Sequence, residues 1–313
     1  MAGHFYHILL KNPLVAVVNA GPELQSALRY TEKVAKGAKT HLFAKMTWHG
    51  PAVLEELATF IFQAAKTHPY VQFTFMTATS EDDVLYRRHG LDSIWCSPNA
   101  FLDARIYRPN TNAEKLYDAI YVARLVPFKR HHLAVDIPSI AVVTKNYEVD
   151  ADTAASALGN YRDLQYVNYD SERGVTELTP VQVQEKIAQS RCGLALSAEE
   201  GAMFACCEYL LSGLPIVTTP SRGGRDVFFH SDYVEVVEET PEAVASGVAR
   251  LIARNLDPEM IRNRTYQLFM EHRARLLFRL SGLAQRDLFK HAGPNLWLPQ
   301  FVNKFETWVP SSS

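Results

Sequence analysis

The chain has 313 residues, with 32 Lys+Arg against 34 Asp+Glu for a formal charge of −2, so no strong overall field draws it to nucleic acid. Its 47% apolar and 21% charged residues are ordinary for a globular protein and exclude disorder, collagen and coiled coil. At roughly 100–200 residues per domain, the length implies two domains or one large α/β domain.

Short apolar runs alternate with helical patterns, the signature of parallel βαβ units. Residues 14–18 read as a strand, Gly21-Pro22-Glu23 as a turn, and the stretch to Ala35 as a helix. A strand at 40–48 and a helix at 51–66 follow, the helix carrying Val53, Leu54, Leu57, Phe60, Ile61 and Ala64 at helical spacing. Then come a strand at 71–76, a short helix at 81–89 closed by Gly90, and a strand at 93–96. The turn-rich stretch 98–115 reads as an interdomain linker. Beyond it, strands are expected at 119–123, 140–144, 164–167, 194–197, 216–219 and 233–237, and helices near 151–158, 180–190, 203–212, 241–254 and 258–279. The segment 250–290 carries nine Lys/Arg against four Asp/Glu. It reads as a solvated helix face, although such a tail could also meet an anionic membrane surface or pair with carboxylates across an interface.

No apolar run approaches the ~18–20 residues of a helical span, and the first eleven residues lack a secretion signal's apolar core. Cys96, Cys192, Cys206 and Cys207 form no Cys-x-x-Cys pair, which fits a reducing cytoplasm. The phosphate loops of dinucleotide and P-loop enzymes are missing, as are the Gly-x-Ser-x-Gly and His-Glu-x-x-His motifs. Asp150-Ala151-Asp152 is a carboxylate pair to which no metal role is given.

Two segments carry chemistry. In 194–226 a short strand turns through Glu200-Gly201 into a helix that contains Glu208 and ends at Gly213-Leu214-Pro215. Glu200 thus stands at the carboxyl end of a parallel strand, where open sheets bind ligands, and the helix start suits an anion. Glu208 could accept hydrogen bonds from a vicinal diol. Either carboxylate could equally be a plain helix charge. In 119–130 a strand runs into Arg124, with Lys129 five residues on. That placement suits a diphosphate clamp, or a pair of surface cations.

In this order the segments resemble the retaining glycosyltransferases of family 4. Ala123-Arg124-Leu125-x-x-x-Lys129-Arg130 looks like that family's Gly-Arg-Leu-x-x-x-Lys-Gly. Glu200 through Glu208, then Gly213-Leu214-Pro215-Ile216-Val217, looks like its Glu-x7-Glu and Gly-Leu-Pro-Val-Val. Gly223-Gly224 resembles its Gly-Gly turn, Asn99 to Pro109 its linker, and Thr47-Trp48-His49-Gly50 its strand-end Thr-x-His. Ala123 and Arg130 depart from family glycines, and Arg130 would bring bulk and charge near a diphosphate.

The resemblance implies an α/β chain of GT-B fold, with two Rossmann-like domains facing across a cleft and a C-terminal helix crossing back to the first. The expected division is a shortened acceptor-side domain 1–110, a nucleotide-sugar donor domain 111–258, and a tail 259–313 packing on the first. The implied activity is transfer of a sugar from a nucleotide-diphosphate donor to a glycan, lipid-linked or small hydroxyl acceptor, with retention, no cofactor and no metal. Arg124 and Lys129 would hold the diphosphate, Glu200 and His49 would face the donor sugar, and Glu208 would take the ribose. Gly201 and the amides of Ala202, Met203 and Phe204 would line the donor, and Gly21 would lie on the acceptor side. The small first domain leaves open a catalytically silent donor-binding subunit or a nucleotide-sugar epimerase.

Overall fold

The computed structural model describes residues 3–21, 23–48, 50–145, 164–170 and 174–310. Asp150, Asp152 and the helix expected at 151–158 lie outside the described residues, as does His49.

The first half is organised around strands β1 (Gly3–Lys11), β2 (Leu14–Asn19), β3 (Thr40–Lys45), β4 (Val71–Thr77) and β5 (Ser93–Trp95), whose spatial order follows the chain order. β1 is antiparallel to β2, and β2 to β5 are parallel. Crossovers of one hand, all stepping the same way, put their helices on one face of a sheet. These helices are α1 (Leu24–Ala35), α2 (Gly50–Thr67) and α3 (Ser80–Arg88). Leu28, Leu57 and Tyr86 from the three helices share one apolar cluster with Ala16, Val18, Leu42, Ala44 and Phe75. The alternating residues Val15, Val17, Phe43 and Met76 belong to a different core, which continues into the second half.

That half has five parallel strands: β6 (Tyr117–Val122), β7 (Ile140–Val143), β10 (Ser190–Ala195), β11 (Ile216–Thr218) and β12 (Val234–Val236). A small antiparallel ladder of β8 (Tyr169–Asp170) and β9 (Gly174–Val175) stands apart. The expected strand at 164–167 is a single bridge of Tyr166 to Val142 on β7. The sheet order is β12-β11-β10-β6-β7. The chain therefore leaves β6 toward β7 and returns on the other side to β10. The gap between β6 and β10 is the topological switch point, the place where open α/β sheets bind ligands. Helices α4 (Pro180–Ala188), α5 (Phe204–Leu211) and α6 (Pro241–Ala253) complete this half.

The 27-residue helix α7 (Pro258–Ala284) then runs back along the linker. Its arginines divide between inward contacts and partly solvated ion pairs. Arg262 donates to the carbonyls of Tyr107, Leu211 and Ala104 at 2.6–2.8 Å. Arg273, almost fully buried, donates to the carbonyls of Ala100 and Leu102 and stacks 3.4 Å from the Trp297 ring centre. Arg264 and Arg279 pair with Asp232 and Asp92. The described residues end on β13 (Trp308–Pro310), which pairs with β1. Trp297, Phe301 and Phe305 join α7 in the core that covers the face of the first sheet opposite α1, α2 and α3. Among the described residues no helix is long and apolar enough to cross a membrane.

β1 and β13 were not legible as strands. β1 places His4 and His7 among its apolar residues, and β13 has three residues, too few to show a period.

Candidate functional site

The carboxyl ends of the two sheets meet. The Ala202 amide donates to the Thr47 carbonyl at 3.2 Å. A Cβ on Gly201 would lie 2.0 Å from the Trp48 carbonyl oxygen, and one on Gly224 would lie 2.2 Å from the Ala78 Cβ. Both glycines are therefore needed for backbone to pass backbone between the halves. Gly201, expected to line the donor, faces the Trp48 backbone instead. The Ala202 amide, expected to face a donor, is likewise held by Thr47. Beside this contact opens a cleft of about 1120 Å³, ample for a drug-sized ligand.

At the switch point β6 delivers Arg124 and the turn Pro127–Lys129, and the strand-end loop after β10 delivers Glu200. Lys129 Nζ donates to Glu200 Oε1, with both side chains mostly buried. Ser197 Oγ donates to Glu200 Oε2 at 3.1 Å. Two groups that sequence reasoning missed support this arrangement. Burial pulls the His131 imidazole down to about 4, so near neutrality it is uncharged and its Nε2–H donates to the Arg124 carbonyl at 2.9 Å. The Tyr121 hydroxyl donates to the Lys129 carbonyl.

Arg130 corrects an expectation. It has φ of 51°, the left-handed conformation that glycine takes without cost and that costs another residue about 1–2 kcal/mol. Its side chain turns away from the cleft. It donates to the Leu196 carbonyl and Thr219 Oγ1 and pairs with Glu239 at 2.7 Å. Arg225, fully buried, joins the carbonyls of Ala195, Ser197 and Thr219 at 2.6–3.0 Å. It thereby ties the carboxyl ends of β10 and β11 under the loop that bears Glu200.

Glu208 is neither exposed nor open to both sides. It is 4% exposed; Oε1 accepts from the Tyr107 hydroxyl at 3.0 Å and pairs with Lys304 Nζ at 2.9 Å. The linker expected from Asn99 to Pro109 also reaches the site through Asn99, whose Nδ2 donates to the Met203 carbonyl at 3.2 Å. Met203 is the N-cap of α5 and offers no side-chain cap, so the amides of Met203 and Phe204 open a helix start beside the cleft. Gly21 holds φ of 98° in the turn into α1 and is not among the residues lining the cleft.

The described lining contains the cations Arg124, Lys129, Lys145 and Lys304 and the carboxylates Glu177, Glu199, Glu200, Glu208 and Glu306. Three pairs form: Lys129 with Glu200, Lys145 with Glu177 and Lys304 with Glu208. An anion entering here must share these lysines with glutamates.

Two Rossmann-like sheets with facing carboxyl ends, and a terminal helix that crosses back, constitute the GT-B fold. No protein-family profile matches the sequence, and no curated protein matches it. Solved structures do match by shape. Sucrose-phosphate synthase from Thermosynechococcus elongatus superposes with a TM-score of 0.51 at 11% identity, over 87% of this chain and 93% of that one. Anabaena HepE in complex with UDP gives 0.54 at 12% identity, over 82% and 74%. The pneumococcal O-GlcNAc transferase GtfA in complex with UDP and GlcNAc gives 0.52 at 15% identity, over 82% of this chain and 54% of that one.

Proposed function

We propose that the protein transfers a sugar from a nucleoside-diphosphate donor to a hydroxyl acceptor, with retention of configuration. The observation that carries the reading is the meeting of Lys129 and Glu200, 71 residues apart in sequence, at the switch point of the second sheet. The complexes of HepE with UDP and of GtfA with UDP and GlcNAc support a donor of this class.

In this reading Arg124, Lys129 and the start of α5 hold the diphosphate and stabilise the charge that grows on it as it departs. Such preorganised stabilisation is usually the largest catalytic contribution, and it assigns no step to a metal ion. The bond from the anomeric carbon to the diphosphate oxygen breaks, and the acceptor oxygen bonds that carbon on the same face. Its proton passes to the departing phosphate. Glu200, held by Ser197 and Lys129, contacts the donor sugar. When the phosphate engages Lys129, Glu200 is freed toward the sugar, a partner exchange that makes sugar contact depend on diphosphate binding. His49 and the amides of Met203 and Phe204 complete the proposed donor contacts.

The test is incubation with UDP-, GDP- and ADP-sugars and a panel of hydroxyl acceptors, with product anomers read by NMR. Lys129→Ala should remove a charge-assisted contact of about 1.5–3 kcal/mol, roughly 10–150-fold in rate. Unchanged transfer in both Lys129→Ala and Glu200→Ala would sink the assignment. One observation favours a second reading, a donor-binding subunit without catalysis: the first sheet carries four parallel strands, β2 to β5, where the second carries five. Donor binding without transfer or hydrolysis would mark it.

A further inference from the structure

The turn Asn303–Phe305 belongs to the end of the chain, yet Asn303 and Lys304 line the cleft beside α5. Lys304 and Phe305 both have positive φ, 59° and 55°, a conformation unfavourable for any residue with a Cβ and retained only where the surroundings impose it. The anchors come from several parts of the molecule. Lys45 Nζ, on β3 and 1% exposed, donates to the Lys304 carbonyl at 2.7 Å. Asn303 Oδ1 accepts from the Asp103 amide of the linker at 2.8 Å. The buried Phe305 ring stacks on His7 at 5.4 Å and packs at 4.6 Å from Phe101.

With its backbone so held, the Lys304 side chain reaches α5. Its Nζ meets Glu208 Oε1 and lies 4.8 Å from the Phe204 ring centre. The lysine side chain is 19% exposed and that of Glu208 5%, so the ammonium is the more open member of the pair. Oε1 already accepts from Tyr107, and an ammonium has three donors of which Glu208 takes one. The pair therefore presents donors where a lone carboxylate would present only acceptors.

We propose that Lys304 makes the C-terminal tail part of the donor site: with Glu208 it binds the ribose-phosphate end of a nucleoside diphosphate, the ammonium donating to a ligand oxygen. This rests on the donor reading above. A backbone strained into place by the first sheet and the linker is more than a buried glutamate needs from a counter-ion. It also means that the donor carboxylate is read through a residue anchored on the first sheet.

The experiment is calorimetric titration of UDP, GDP and ADP, and of the matching nucleoside, into wild type, Lys304→Met and Lys304→Arg. For the diphosphate that wild type binds, Lys304→Met should weaken affinity about tenfold or more. The nucleoside should lose less, and Lys304→Arg should recover part of the loss. If Lys304→Met does not fold, Glu208→Gln, which keeps the more open ammonium, and Glu208→Gln/Lys304→Met, which removes both charges, give the same comparison between themselves. Equal or tighter diphosphate binding without Lys304 overturns the inference while leaving the donor reading intact. Binding of none of the three diphosphates by wild type overturns the donor reading and this inference with it.

Discussion

Gly201 shows what a single residue contributes at this site. The sequence marks it as a glycine after a strand-end glutamate that would line the donor; the structure presses it against the Trp48 backbone. Gly201→Ala must push the halves apart, since the obstructing atoms are main chain. Overpacking of this kind costs about 1–3 kcal/mol, so the midpoint of thermal unfolding should fall and the Ala202 to Thr47 hydrogen bond should be lost. An unchanged midpoint together with unchanged nucleotide affinity would show that the two loops are not in contact. The residue scale also divides what was legible from what was not. Lys129 and Glu200 could be placed in one site on paper because each lies in a motif with its own strand, but their contact with each other could not. Glu208 could be found, but not its partners, because Tyr107 and Lys304 come from the linker and the tail, whose paths no local pattern dictates. Arg130 was misjudged because a positive φ redirects its side chain, and a sequence does not display φ.

Among elements, the tail is the least expected. Its pattern reads as a basic helix with a solvated face, yet α7 mixes arginines with apolar residues because two of them, Arg262 and Arg273, reach inward to linker carbonyls. A periodicity argument takes charge for exposure, and Arg273 violates that assumption. Likewise, the amphipathic faces of α1, α2 and α3 indicated helices packed on a sheet, but could not say that all three share one face. That follows from strand order, and it leaves the opposite face to the chain's end. Phe305 is central to this cover and 3% exposed. Phe305→Ala should therefore cost about 3–5 kcal/mol, whereas Phe278→Ala, with Phe278 76% exposed on α7, should stay within about 0.5 kcal/mol. Urea unfolding of the two variants checks the contrast, and equal small losses would mean the tail does not seal the sheet.

The whole molecule is joined by buried neutral groups along the tail, the linker and the switch point. Burial pulls His7, His41 and His131 down to about 4, and His272 to about 3. His7 accepts or donates at Thr307, and His272 Nδ1 accepts from the Ser97 amide, so these imidazoles hold the pieces together as uncharged rings. Between pH ~6.5 and ~4 the unfolded chain binds protons that the folded chain refuses, so stability rises with pH across that window. Acidification from 6.5 toward 4 should remove about 1.4 kcal/mol per pH unit for each such group. A denaturant series at pH 7.0, 6.0 and 5.0 measures this, and stability that is flat or rises on acidification would contradict it.

The GT-B architecture and the residues of the switch point were thus readable from motifs, and neither the pairing of Lys129 with Glu200 nor the route by which the tail enters the cleft was. The central claim is that this cleft binds a nucleoside diphosphate through Lys129. Titration of UDP, GDP and ADP into wild type and Lys129→Ala by calorimetry tests it most directly. The predicted result is saturable binding of at least one diphosphate to wild type, weakened about tenfold or more in Lys129→Ala. Binding of none of the three, or equal affinity in the two proteins, would contradict it.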